Sequence, residues 1–318
     1  MNSKLVLSLD FEMFWGVSDS RNISDYRENV EGVWVAIPKM LALFRQYDIH
    51  ATWATVGMLM CRSHKQWREI RPTILPSYIR QDRSNYSFDS ISRENPSLFF
   101  ARPLVEKILE TAGQELATHT YSHFYCGEEG ATPAQFAADL DCATAISADV
   151  GFVSKSLVFP RNQVLPQYLP VVAAAGFKVY RGNPDHWVYR DGHVVPYGKA
   201  GRAIRYADSW LSLTGTHAQE VNKEGKLLNV PASLFLRPLS GCMAALEPLR
   251  LARLKAAMTD AARRNKICHL WWHPHNFGVN ADKNLAVLEA LLKHYLVLKD
   301  QYGMRSVCMG DFAAMGEL

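Results

Sequence analysis

The sequence has no C-x-x-C pair, no G-x-G-x-x-G after a strand-like run and no G-x-x-x-x-G-K-[ST]. The first absence excludes a zinc ribbon and a thioredoxin-type redox motif. The other two argue against dinucleotide and P-loop chemistry. The six cysteines are scattered at 61, 126, 142, 242, 268 and 308, a pattern most simply read as reduced thiols. No run of 18 apolar residues occurs, so no membrane span is expected. The apolar run Leu5–Leu9 is too short for a signal-peptide core, and the acids Asp10 and Glu12 follow at once, so a cytoplasmic location is expected. No block of like charge accompanies the mild net charge of +4, and no nucleic-acid partner is expected.

What is present is enough to build a large core. The 318 residues are 48% hydrophobic and 11% aromatic, and they alternate short β-type runs with helical patterns. Leu5–Leu9, Ile49–Val56, Gln114–Thr118, Ser156–Phe159, Phe177–Tyr180, Ile267–Trp272 and Arg305–Met309 read as strands. Between them, helical periodicity covers Val33–Tyr47, Leu104–Leu109, Thr132 to Ile146, Tyr168–Ala175, Leu249–Arg264 and Asp282–Gln301. Thr132 is an N-cap with Pro133 in the first turn, and Gly113 and Gly176 close helices. Strands alternating with helices imply parallel βα units. The number of units favours a distorted (β/α) barrel, TIM-like with about seven strands, over an open sheet. The chain reads as one catalytic domain, 1–318, with insertions near 61–100 and 188–237.

In such a barrel, chemistry gathers where strands end. Those positions hold Asp10 and Glu12, His119 and His123, Arg161, Asp185 and Trp187, and His273 and His275. The pair His119 and His123 is ambiguous by spacing alone. Residues four apart share a helix face, but the chain has eleven histidines. Two histidines and one carboxylate nevertheless match the ligand needs of a divalent metal with an open position. A second carboxylate can then take a proton from water, and a further histidine can protonate a departing amine.

The residues resemble the NodB-homology polysaccharide deacetylases, carbohydrate esterase family 4, over most of the chain from Leu5 to about His275. The first motif, usually T-F-D-D, reads Ser8-Leu-Asp-Phe-Glu12. The second strand, often A-T-F-F-V-x-G, reads Ala51-Thr-Trp-Ala-Thr-Val-Gly57. The second motif, H-[ST]-x-x-H after G-x-E-[IL], reads Gly113-Gln-Glu-Leu and His119-Thr-Tyr-Ser-His123, and the last, L-x-x-H, reads Leu270-Trp-Trp-His273. The resemblance implies a NodB-homology fold and removal of an acetyl or formyl group from an amino sugar of a surface polysaccharide or its precursor. It implies Asp10 as base, Glu12, His119 and His123 as ligands of Zn²⁺ or another divalent transition metal, and His273 as acid, with Asp185 and Trp187 tuning that acid. The sequence departs from the pattern in its first motif, where Phe11 separates the acids and the second acid is glutamate. It departs again in its third motif, Phe159-Pro-Arg-Asn-Gln163 against the usual F-R-P-P-Y-G, which displaces the arginine.

Arg161 is expected to hold Asp10 ionised, and a backbone N–H after Phe159 to face the oxyanion. His275 is a rival acid. Trp15, Tyr125, Asn162 and Asn276 are candidate substrate contacts. The implied substrate is an N-acylated sugar or glycan, either free or nucleotide- or lipid-linked, with Arg62, Arg68, Arg71, Arg80 and Arg83 available to phosphates or else forming a solvated face. Open alternatives are a metal hydrolase using His273-Pro-His275 as an H-x-H pair, an inactive sugar-binding protein of the same fold, and a metal amidase for a non-sugar amide.

Overall fold

The structure, a computed structural model, describes residues 2–190, 198–239 and 241–315. Its centre is strand β1, Lys4–Phe11, buried from Leu5 onward on both faces, as expected for a parallel strand covered on both sides. β1 pairs in parallel with β2 (Ala51–Thr55), which pairs with β3 (Gln114–Thr118), then β4 (Ser156–Val158) and β5 (Val179–Arg181). β6 (Asn222–Glu224) and β7 (Leu227–Asn229) form an antiparallel hairpin, and β7 joins β5 in parallel. On the other side of β1 lies β9 (Ile267–Trp272), bordered by β8 (Leu234–Phe235). β10 (Arg305–Val307) pairs with residues 4–6 of β1, while β2 takes residues 7–11.

The segment from β7 to β8 curls the sheet into a distorted barrel. Val230 N and Ala232 N donate to Tyr180 O and Gly182 O beside β5. A few residues later, Ser233 N and Leu236 N donate to His269 O and Trp271 O of β9. Pro231 has no N–H to give, which splits this stave into two short strands that face different neighbours. Counting β7–β8 as one, the staves are β1, β2, β3, β4, β5, β7–β8 and β9; the number matches the expected seven but the membership does not, because Arg305–Met309 contributes β10, which lies off this path against β1, and β7–β8 takes its place. Residues 227–237 are expected at the end of an insertion; residues 227–236 instead complete the sheet.

The flanking helices follow the periodicity. Val33–Gln46 buries Ile37, Met40, Leu41 and Phe44 against the sheet. Pro133–Val150 opens with a capping box of Thr132 and Gln135 and ends at Gly151 with φ 102°, a backbone that only glycine adopts easily. Residues 61–100 are built of short helices, and Trp67, Leu98 and Phe99 from this region enter the main core. Of the region 188–237, residues 191–197 lie outside the described residues. Cys61, Cys126, Cys142, Cys268 and Cys308 are all buried, and none is in a disulfide. Among the described residues, no helix is long and apolar enough to cross a membrane.

Candidate metal and acid–base site

Parallel strands end on one side of the sheet. Asp10 and Glu12 from β1, His119 after β3, Arg181 from β5 and His273 after β9 therefore meet at one mouth. They lie in and around a cavity of about 580 Å³, which Asp10, Glu12, His123, Trp271 and His273 help to line.

Three ligand atoms converge there. Glu12 Oε1 is 3.1 Å from His119 Nε2 and 3.2 Å from His123 Nε2. All three residues are buried. His119 Nδ1 is 2.8 Å from Val158 O, so its ring proton goes to that carbonyl and Nε2 keeps its lone pair. Two imidazole nitrogens and one carboxylate oxygen, facing one another and an open cavity, fit a divalent transition metal with a free coordination position. The H-x-H alternative lacks this support: among the described residues, no group of candidate ligands includes His275.

The histidines are not on a helix. Thr120 and His123 both have left-handed backbone, φ 63° and 57°, and the chain between them turns tightly. The buried carboxylate of Asp139, on the helix Pro133–Val150, holds this turn. It accepts from Tyr121 N at 2.7 Å, Ser122 N at 3.1 Å and the Ser122 hydroxyl. Thr120 Oγ1 accepts from Phe124 N at 2.7 Å. Gly57 N and Met58 N donate to Thr120 O and Tyr121 O, and a Cβ at Gly57 would collide with Tyr121. That contact accounts for the glycine ending Ala51–Gly57. Gly16 does the same for Glu12: a Cβ there would overlap the Glu12 carboxylate, so the longer acid of this first motif folds over a residue without a side chain.

The partner of Asp10 is Arg181, not Arg161. Arg181 Nη1 and Nη2 reach the two Asp10 oxygens at 2.7 Å each, in a bidentate pair that is buried on both sides. Burial pushes the Asp10 carboxyl up, but the Arg181 charge and hydrogen bonds, with the nearby histidines, outweigh it and leave the group below its ordinary value. Arg181 also donates to Ser8 Oγ at 3.0 Å and Asn162 Oδ1 at 2.9 Å and lies over the Trp271 ring. Ser8 Oγ is 2.8 Å from His269 Nε2. Burial, reinforced by the Arg181 charge, drives His269 down to about 3, so this histidine is neutral and accepts from the serine. Arg161 has left-handed backbone, φ 55°, and turns to the buried Asp19 and to Glu128, over the face of Tyr125.

The remaining candidates separate. His273 Nε2 stands 3.6 Å from Glu12 Oε1 and 3.9 Å from Asp10 Oδ2, between the rings of Phe235 and Trp271. His275 stacks behind it at 4.9 Å, and burial holds it down at about 3. Asn162 and Asn276 line the cavity, with Asn276 Nδ2 3.3 Å from His273 Nδ1. Trp15 and Tyr125 do not line it: Trp15 is packed in the core with Nε1 donating to Phe99 O, and Tyr125 is buried behind His123. Asp185 is at the surface, paired with Arg190 at 2.6 Å, and Trp187 is half-exposed outside the cavity lining, so the expected tuning pair is not set against His273. After Phe159, Pro160 has no N–H and Asn162 and Gln163 donate to Phe159 O and Pro160 O, which leaves only the N–H of Arg161 for an oxyanion. The arginines expected to meet phosphate are engaged elsewhere: Arg62 with Asp149, Arg68 with Asp89, Arg71 over Trp67 and Tyr86, Arg80 with Asp82 and Arg83 with Asp19.

A curled, mainly parallel sheet with this mouth is the fold of the polysaccharide deacetylases. The solved structures that share it include a Mycobacterium smegmatis protein assigned as a polysaccharide deacetylase, with 14% identity over 99% of this chain and 91% of that one, at a TM-score of 0.60. Puue allantoinase matches with 14% identity over 98% and 88%, at 0.54. A GH57-type branching enzyme from Pyrococcus horikoshii matches with 8% identity over 100% and 71%, at 0.58. Identities this low establish the fold. No protein-family model matches the chain, nor does any curated protein.

Proposed function

We propose that the chain is a metal-dependent hydrolase that removes an acetyl or formyl group from the nitrogen of an amino sugar. One observation carries the reading. Asp10 is held ionised by Arg181 beside, but outside, the Glu12–His119–His123 cluster, with His273 facing both acids. This is the division of labour that amide hydrolysis needs.

Glu12, His119 and His123 would hold the metal, and nitrogen-rich ligands with one carboxylate favour zinc. When bound, the ion supplies a Lewis acid for the amide carbonyl and lowers the pKa of water. Asp10 accepts a proton as the water oxygen attacks the amide carbon. His273 delivers a proton to the amide nitrogen as the C–N bond breaks, leaving acetate or formate and an amino sugar. The pair with Arg181 fixes which Asp10 lone pairs face the cavity, and Asn276 orients the His273 ring. Trp271, Phe235 and Tyr26 give the cavity apolar faces for a sugar ring.

The test is metal content together with release of acetate and formate from a panel of N-acyl sugars and simple N-acyl amides, for wild type and Asp10→Asn. Bound metal with no turnover on any member of the panel, sugar or simple amide, overturns the hydrolase reading. Turnover confined to non-sugar amides overturns the substrate class.

A further inference from the structure

Beyond Phe235 the cavity changes character. Four arginines, Arg205, Arg237, Arg250 and Arg253, line this end. Two are neutralised within the protein. Arg253 Nη2 meets Asp208 at 2.7 Å, and Arg250 Nε meets Glu247 at 3.0 Å. The other two have no carboxylate partner among the described residues. Arg205 Nη1 donates to Val188 O at 3.1 Å. Arg237 gives its Nε to Ser209 Oγ, and among the described residues its two terminal nitrogens have no hydrogen-bond partner. The Arg237 guanidinium lies over Tyr206 at 5.2 Å and Phe235 at 5.5 Å, so two rings fix its position.

A pair of cations in a half-buried wall, with no counter-charge among the described residues, is costly unless an anion completes it. Burial, with Arg250 and Arg205 nearby, already pulls Arg237 below its ordinary value. The wall is also close to the chemistry. Phe235 stands 5.7 Å from the His273 ring, packs on Trp271, and has the Arg237 guanidinium over it, so one aromatic ring separates the proposed acid from that guanidinium.

We propose that Arg237 and Arg205, with Ser209, form a subsite for a phosphate or diphosphate ester, so that the sugar processed at Asp10 carries this group. The inference rests on the hydrolase reading above and names the substrate class: a glycosyl phosphate or diphosphate rather than a neutral polymer. Forked guanidinium donors suit phosphate oxygens, and a cleft walled by cations concentrates such a ligand. A nucleotide or a polyprenol can supply the same group.

Isothermal titration of the metal-loaded protein with uridine diphosphate, inorganic pyrophosphate and a phosphorylated polyprenol in detergent tests this. Binding is read as heat, so it stays measurable even if the hydrolase reading fails. The expected result is a Kd that rises about tenfold or more in Arg237→Gln and in Arg205→Gln. Arg237→Lys, which keeps the charge, should recover part of the loss. Arg68→Gln, at the paired Arg68 outside the cavity, should leave Kd unchanged. Uridine diphosphate binding tighter than pyrophosphate indicates a nucleotide source, and preference for the polyprenol a lipid source; both support the subsite. Binding indifferent to Arg237→Gln and Arg205→Gln overturns it. So does binding lost in Glu12→Gln but kept in both arginine variants, which would put the anion on the metal. Glucuronate binding as tightly as any phosphate also overturns it.

Discussion

Arg181, at the end of β5, grips both carboxylate oxygens of Asp10, near the end of β1 and 171 positions away in the chain. Both side chains are buried, so the pair is strongly coupled to its surroundings. Arg181→Gln leaves a buried carboxylate without its counter-charge, at an expected cost of about 3–5 kcal/mol in urea unfolding. The pH dependence gives a sharper readout. In the wild type the Asp10 carboxyl lies below its ordinary 3.8, so the stability from this pair is fully present above about pH 4 and is lost as the pH falls further. Without Arg181, burial raises the carboxyl instead, and stability should fall as the pH rises from about 4 towards 7. Arg181→Lys keeps the charge but not the fork, so it should restore this slope better than it restores turnover. An Arg181→Gln variant with the wild-type pH profile would remove the role assigned to the pair.

The contrast between Arg161 and Arg181 shows what the sequence can reveal. Six of the staves, β1 to β5 and β9, are legible because each is a short buried run next to a helical pattern, and Asp10, Glu12, His119 and His273 are legible because each lies at the end of such a run. Arg181 also ends a strand, but the family pattern draws attention to Asp185 and Trp187, a few residues further on. Nothing local marks an arginine whose partner lies across the mouth on β1. Arg161 follows β4 as the family pattern suggests, yet its left-handed backbone turns it to Asp19. The stave across β7 and β8 was obscured by Pro231, which breaks the β pattern where the backbone changes neighbours. In the sequence Asp139 is only one position of a helical pattern, because its hydrogen bonds to the histidine turn are tertiary.

Asp10 and the histidines should separate experimentally. Asp10→Asn preserves the shape of the side chain but removes the base, and turnover should fall about 10²- to 10⁴-fold with metal content intact. His119→Ala removes a proposed ligand and should lose both metal and turnover. His275→Ala should keep its metal, because His275 joins none of the ligand groups among the described residues. Metal per chain by mass spectrometry, beside acetate and formate release, distinguishes the three. Metal retained in His119→Ala would point to a different centre.

Gly16 makes room for the Glu12 carboxylate, and this packing can be tested without touching a ligand. A methyl group at position 16 overlaps the Glu12 side chain, which must swing away from His119 and His123. Gly16→Ala should weaken metal binding about 10- to 100-fold, the range typical of disturbed ligand support. The methyl would also meet Glu12 Cβ at 2.6 Å, which a change of rotamer does not relieve, so a modest fall in the thermal transition of the metal-free protein is expected beside the loss of affinity. A competition titration with a chromogenic chelator reads the affinity, and an unchanged value would show that Glu12 does not need this space.

Asp139 supports the histidine turn from outside the cavity. Its two oxygens take the N–H groups of Tyr121 and Ser122, which the left-handed turn leaves without strand partners, and the Ser122 hydroxyl. Asp139→Ala strands those buried donors at about 1–3 kcal/mol apiece, enough for the turn to relax towards another backbone path. His123, which closes the turn in strained left-handed geometry, would then lose its aim at Glu12 Oε1. Asp139→Asn keeps one acceptor oxygen and should cost less than the alanine variant in both stability and metal affinity. The order wild type, asparagine, alanine in thermal melting and in chelator competition is the expected result. A variant that melts earlier but binds metal as tightly as wild type would make Asp139 a packing residue alone, and the turn would be held by Thr120 and the Gly57 contact instead.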